Sequence, residues 1–188
     1  MVKVESQVLE LIDRARKGDR EAFGALAASS IDRLHAIAVR IVHDEGRAED
    51  AVQSALLDAW RDLPSLRDPS RFEAWLYRLL LRACYDEARK QRAFVASIRV
   101  VSVEPGEADG SSRLADRDQL ERAFRRLPVD QCAVIVLHHY EGMALTEVAE
   151  VLAIPVGTVR SRLHYALRTL RAAVEADDRS AISEGQTA

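Results

Sequence analysis

The sequence predicts an all-α fold of two small helical domains joined by a flexible linker, on three observations. Ala, Leu, Arg and Glu dominate a composition with 5% aromatic residues, 8 Gly and 5 Pro, and these residues favour helix. Apolar residues recur at three- and four-residue spacing in two clusters separated by a polar stretch. No segment carries the alternating pattern of a half-buried strand. A length of 188 residues suits one domain or two small ones, and the 30% charged fraction implies much solvated helix surface. The formal net charge of -3 gives no overall sign of a nucleic-acid binder, but an average conceals local runs.

The elements follow in order. Residues 5–17 place Val8, Leu11, Ile12 and Ala15 on one face, and Gly18 stops them. Asp19 is the expected N-cap of a second helix with Phe23, Leu26, Ala27, Leu34, Ala38 and Ile41 inward. After "HDEG", residues 47–62 repeat the pattern through Ala48, Val52, Ala55, Leu56, Ala59 and Leu63. "LPSLRDPS" is a loop by its prolines and Asp. Ser70-Arg71-Phe72-Glu73 has the spacing of a capping box that opens a fourth helix. That helix buries Phe72, Trp75, Leu76, Leu79, Leu80 and Ala83 and is expected to end near Arg92. The periodicity then fails, and "SVEPGEADGSSRLAD" is an acidic connector too polar to pack. The second cluster holds "DQLERAFRRL", "DQCAVIVLHHYEG" and a final pair of helices. The expected divisions are 1–92, a flexible acidic linker 93–115, a second domain 116–174, and a disordered tail 175–188.

The final pair, "LTEVAEVLAIPVGTVRSRLHYALRTL", matches a helix-turn-helix with a tight Ile-Pro-x-Gly turn. Val159, Leu163, Ala166, Leu167 and Leu170 fall at core spacing, leaving Arg160, Ser161, His164 and Arg168 opposite, with Gly157 and Thr158 near the N-terminal end. Four arginines and no acid lie between Val151 and Val174. A solvated helix on an acidic protein normally mixes signs, so this asymmetry suits phosphates and base edges. Pro155 fits the first turn, where its missing N–H costs nothing, and the free amides there suit a phosphate. An ordinary helical hairpin with a basic outer face fits the same two segments.

Read along its length, the chain resembles the extracytoplasmic-function sigma factors, small specificity subunits of bacterial RNA polymerase. The resemblance rests on "RAEDAVQSALLDAWRDLPSLRDPSRFEAWLYRLLLRACYDEARK" for region 2 and "LPVDQCAVIVLHHYEGMALTEVAEVLAIPVGTVRSRLHYALRTLR" for region 4, in the family's order, and covers about residues 5–172. It implies that region 2 is a helical bundle and region 4 the helix-turn-helix. It assigns −35 recognition to Gly157, Thr158, Arg160, Ser161, Arg162, His164 and Arg168. The loop 66–70 and the following helix resemble the element that captures an unstacked −10 base, with Arg67, Ser70, Arg71, Trp75, Arg78 and Arg82 as candidates. Trp75 by its own spacing is a core residue. Glu49, Asp50, Gln53 and Trp60 are implied to dock on the polymerase β′ clamp helices, and region 4 on the β flap. On spacing alone, Glu49, Asp50 and Gln53 fit a solvated face as well. The acidic linker resembles the segment that relatives thread toward the RNA exit path; an idle tether has the same composition. Arg89, Lys90, Arg92 and Arg99 have no acid among them from Ala88 to Val103 and suit DNA backbone or a solvated helix end.

The chain departs from the family pattern at four places. Many relatives carry Ser at Ala144, where it caps the first helix of the helix-turn-helix; an acid at Ser54; and an acid or other polar residue at Val156. At Arg82 a shorter polar residue is common.

Catalytic motifs are lacking: there is no Gly-rich phosphate loop, HExxH or serine elbow, so no enzyme activity and no cofactor is expected. His138 and His139 point apart on a helix and do not make a metal pair, and His35 and His43 lack partners at ligand spacing. Cys84 and Cys132 read as reduced, packed thiols of a cytoplasmic protein. No stretch is apolar enough to span a bilayer, and acids interrupt the N-terminal pattern, unlike a signal peptide. Promoter DNA, core polymerase and an anti-sigma factor are the implied partners. Two rivals remain at this point: a dimeric helix-turn-helix regulator, which leaves the region 2 pattern unexplained, and a sigma-like decoy that sequesters a regulator.

Overall fold

The computed structural model describes the backbone of residues 2–98 and 121–185, with side chains over 7–97 and 121–176. All described secondary structure is helical. The chain divides into two compact units, with the main boundary between Gln91 and Arg92. The expected connector beyond residue 98, with Arg99, and the last three residues lie outside the described residues.

The first unit contains α1 (Val2–Arg16), α2 (Arg20–Val42), α3 (Glu45–Asp62) and α4 (Phe72–Ile98). Gly18 takes φ +90 and ends α1, a conformation that costs glycine little. Asp19 caps α2 as its position implies: its carboxylate accepts from the Glu21 and Ala22 amides, each at 3.0 Å. Arg14 on α1 holds the other carboxylate oxygen at 2.7 Å, so one side chain fixes the α1–α2 corner. His43 ends α2 in the left-handed region at φ 55, its amide donating to the Val39 carbonyl at 2.8 Å. Asp44 then accepts from the Arg47 amide at 2.9 Å, and α3 starts at Glu45, ahead of the expected Arg47.

α2 packs on both α1 and α3. The core is made of Ile12, Leu26, Leu34, Ile37, Ile41, Val52, Ala55, Ala59, Leu63, Leu76, Leu80 and Cys84, all buried. Phe23 meets Trp60 with ring centroids 5.1 Å apart, and Arg33 lies over the Tyr77 ring at 5.5 Å while pairing with Glu73. The expected loop 63–70 is ordered into two short 3-10 turns, Leu63–Ser65 and Pro69–Arg71, tied inward by buried Leu63 and Leu66.

Two sequence expectations need correction here. Ser70 does not cap α4. Asp68 caps the preceding 3-10 turn, accepting from the Ser70 amide at 3.0 Å and the Ser70 hydroxyl at 2.6 Å. An ionised carboxylate is the stronger acceptor, and Pro69 begins the turn without needing a donor. Glu73, freed from a capping box, takes Arg33 and the Tyr77 hydroxyl at 3.1 Å. Secondly, α4 continues past Arg92 to Ile98 because "AFVASI" contains neither glycine nor proline.

The second unit comprises a helical segment α5 (121–125), α6 (Val129–Ile135) with a π-helical turn Val136–Tyr140, α7 (Leu145–Leu152) and α8 (Val156–Gly185). Ala123, Leu127, Cys132, Ile135, Ala166, Leu170 and Ala173 form one core cluster, with Phe124 and Leu163 against it. Both cysteines are free and buried, and burial pushes each thiol up to about 12, so neither forms thiolate near neutral pH. In the π turn the His138 Nδ1 bonds the Met143 carbonyl at 2.8 Å and its ring lies 4.6 Å from that of His139. Gly142, at φ 72, turns the chain into α7.

The turn between α7 and α8 is shorter than the Ile-Pro-x-Gly reading. α7 ends at Leu152, Ala153 takes φ 53, and the Ile154 amide donates to the Ala149 carbonyl at 3.1 Å. Val156 and Gly157 are already helical, and Pro155 sits just outside, its carbonyl accepting from the Thr158 and Val159 amides. α8 also continues through the expected tail as far as Gly185, since no proline or glycine interrupts it earlier.

Two outcomes follow from these caps. The Ala22 amide, then the Arg14 guanidinium, hold the Asp19 carboxyl below its usual value. The ionised cap therefore stabilises the fold above an unfolded value of about 3.9 and is lost as pH falls through the lower folded one. Melts taken between pH 7 and pH 2 will show Asp19→Ala lowering Tm at neutral pH and matching the parent at the acid end. At α7 the Glu147 carboxylate already receives the Ala144 amide at 2.6 Å, half of a capping box. Ala144→Ser supplies the other half and will stabilise the unit by about 1 kcal/mol in urea titration.

Candidate nucleic-acid interface

α8 is amphipathic with a sharp division. Val159, Ala166, Leu170 and Ala173 are buried and Leu163 packs against the core. Gly157, Arg160, Ser161, His164 and Arg168 are exposed and Thr158 is half-buried. At about 100° per residue, Arg160, His164, Arg168 and Arg171 fall within an arc of about 80°. Arg171 is exposed too and continues the same stripe one turn further, beyond the residues that the family pattern assigns to DNA. No carboxylate occurs on α8 before Glu175.

Within this face the Ser161 hydroxyl donates to the Thr158 carbonyl at 2.9 Å, which fixes its rotamer and leaves its oxygen facing outward as an acceptor. Tyr165 is 51% exposed at the edge of the stripe; the Arg168 guanidinium lies 5.4 Å from its ring centre and His164 meets it edge-on at 5.7 Å. Tyr165 is a further surface residue of this face that periodicity does not single out, being neither core nor cation. Leu167 was expected inward and is 37% exposed instead. The apolar face is narrower than its sequence, since small Ala166 and Ala173 let the helix sit close to its neighbours and leave Leu167 outside. A side chain added at Gly157 would meet nothing within 4 Å, so the first turn of α8 presents bare backbone.

Arg162 stands apart from the other arginines. It is half-buried, and its Nε lies 3.1 Å from Asp130 Oδ2 on α6.

In the first unit Arg67, Ser70, Arg71, Arg78 and Arg82 are exposed along the 3-10 turn and α4, and Trp75 is half-buried with its ring 5.9 Å from Phe72. Trp75 is thus partly core, and it stands three residues before Arg78 on the same helix and four after Arg71 of the 3-10 turn. The basic run after Ala88 is less bare than its sequence: Arg89 pairs with Asp86 at 3.3 Å and Lys90 with Glu87 at 2.6 Å. Both acids lie one helical turn earlier, just before Ala88. Glu87 is buried, and it raises the Lys90 ammonium above its usual value.

On α3, Glu49, Asp50 and Gln53 share an exposed face, which Leu57 extends with 63% exposure. Trp60 is half-buried against Phe23 and braces the helix more than it faces outward. Among the described residues no group of His, Cys, Asp and Glu is arranged to hold a metal, and no helix is long and apolar enough to cross a membrane.

Comparisons with known proteins agree with this layout. Residues 26–94 match the Sigma-70 region 2 model and residues 117–170 match Sigma-70, region 4. The RNA polymerase sigma-H factor of Pseudomonas aeruginosa is 30% identical over 184 residues, covering 91% of this chain and 95% of the relative. The ECF RNA polymerase sigma-E factor of Escherichia coli is 31% identical, covering 83% and 88%. Among solved structures, the sigma factor RpoE of Bartonella quintana, in complex with the anti-sigma factor NepR, superposes with a TM-score of 0.65 at 26% identity, covering 82% of this chain and 98% of that one. Two helical units, an acid-free helix face in the second and the matches to both regions place the chain in the extracytoplasmic-function sigma factors, which direct RNA polymerase to promoters and initiate transcription there.

Proposed function

We propose that the outer face of α8 carries −35 recognition, with Arg160, Ser161 and His164 at base edges. Arg168, Arg171 and the amides beside Gly157 and Thr158 take phosphates. The observation that supports this is the division of one helix: Val159, Ala166 and Leu170 are buried while Arg160, His164, Arg168 and Arg171 share an exposed arc free of acids. Phosphate contacts then set position and the central side chains read sequence.

Region 2, within residues 1–92, captures the −10 element by the surface bearing Arg67, Ser70, Arg71, Trp75, Arg78 and Arg82. Extruding a base costs a few kcal/mol, which stacking on the exposed part of the Trp75 ring and contacts to the arginines offset. Glu49, Asp50 and Gln53, with exposed Leu57, dock on the β′ clamp helices, and region 4, within 116–174, on the β flap. Trp60 contributes by stiffening α3. The chain is a binding subunit with no covalent chemistry of its own and works in the cytoplasm, where polymerase is. An anti-sigma factor, of the kind bound to the Bartonella relative, holds it by covering the surfaces polymerase needs. The dimeric-regulator alternative lacks a use for a whole first unit that matches region 2.

The test is holoenzyme reconstituted from this chain and bacterial core polymerase, on duplexes selected from a randomised −35 library. Arg160→Ala will weaken binding by about 1–3 kcal/mol and relax preference at one base position. Arg171→Ala will weaken binding to all sequences alike and lower the salt slope by about one. Unchanged affinity for Arg160→Ala would remove the −35 assignment. Asp50→Arg will reduce assembly with core polymerase on native gels while leaving helicity intact.

A further inference from the structure

The family pattern groups Arg162 with the DNA-binding residues of α8, and its geometry separates it from them. At about 100° per residue it lies about 160° from His164, on the border of the buried stripe made by Val159 and Ala166. Its side chain is 28% exposed, and its Nε meets Asp130 Oδ2 at 3.1 Å. Asp130 lies in the first turn of α6, where the helix dipole favours an anion, and Cys132 and Ile135 of that helix belong to the cluster on which α8 packs. The pair therefore spans the two helices at one end of their shared contact. It sits close to the turn that carries Arg160 and Ser161.

We infer that Arg162 is a positioning residue: with Asp130 it braces the reading end of α8 against α6 and takes no part in contacting DNA. The inference rests on the proposed −35 reading. The apolar stripe of Val159, Leu163, Ala166, Leu170 and Ala173 decides which side of α8 is buried, but it is non-directional and two of its members are alanines, so it leaves small rotations about the helix axis open. One directional ion pair near the N-terminal end removes that freedom where an error in rotation moves Arg160 and His164 most.

A brace and a phosphate ligand predict opposite responses at Asp130. If Arg162 is a brace, Asp130→Asn weakens −35 binding by holoenzyme, although it removes a negative charge. The expected loss is about two- to five-fold, the scale of a half-exposed ion pair. Arg162→Ala gives a similar loss with the salt slope unchanged, and the double variant is no worse than either single one. If Arg162 binds phosphate, Asp130→Asn releases it and tightens binding, and Arg162→Ala lowers the salt slope by about one. Either result overturns the inference, as does unaltered affinity in both variants.

Amide exchange on the full chain without DNA provides the second measurement. Both variants should lose protection over residues 156–162 while the first unit keeps its own. Equal protection there would overturn the brace. That readout stands without promoter binding, so a failure of the −35 reading, seen as no effect of Arg160→Ala, is distinguishable from a failure of the brace.

Discussion

The packing of α8 on Ala123, Leu127, Cys132 and Ile135 decides what the second unit can do. Val159, Ala166, Leu170 and Ala173 give the helix only one way to bury its apolar side, and burying about one such stripe is worth several kcal/mol at about 25 cal/mol per Å². Any rotation that hid Arg160 or Arg168 would bring an unpaired charge into the cluster and expose the stripe to water. The basic face is therefore held outward by the cost of the alternatives, with no contact needed on the basic side itself. The core and the interface are two sides of one constraint.

The first unit follows the same logic with different means. Its helices meet through alanines as much as large residues, with Ala38, Ala48, Ala51, Ala55 and Ala59 all fully buried. Small side chains permit close helix approach, and the corners are then fixed by side-chain caps at Asp19, Asp44 and Asp68. Three aspartates at three helix starts, each accepting a backbone amide, keep the turns short and the exposed faces in register. The polar face of α3 is presented by a helix whose start is pinned in this way, and α4 with its arginines follows directly on a 3-10 turn that is.

Much of this was legible in the sequence because helix periodicity and capping are local. Asp19, Gly18 and the inward set of α2 and α3 follow from residues within a few positions of each other. The exposed face of Arg160, Ser161, His164 and Arg168 follows from a single helix. What escaped depends on partners distant in sequence or on competition between neighbours. Ser70 has the right spacing for a cap but stands two residues from Asp68, a better acceptor. Leu167 fits the apolar pattern and is left outside by the small residues beside it. Arg162 belongs by type to the basic set, and only the fold brings Asp130 to it. Helix α4 outruns its apolar periodicity beyond Arg92, and α8 runs on through a polar last segment, because a helix continues where neither proline nor glycine breaks it.

The π turn at Val136–Tyr140 bears on how this architecture tolerates change in length. A π turn behaves as one residue inserted into an α-helix. Deleting a single residue between Val136 and Tyr140 would restore regular winding and remove an irregular stretch, which looks like an improvement of the helix. The wide turn takes up the extra residue, so the residues beyond it keep nearly the facing they would have after an uninterrupted α-helix one residue shorter. Deletion there would leave the exit toward Gly142 and α7 almost unchanged, whereas an insertion into the regular turns of α6 would rotate everything beyond by about 100°. The π turn is where this helix can change length without re-aiming the element that delivers the reading helix.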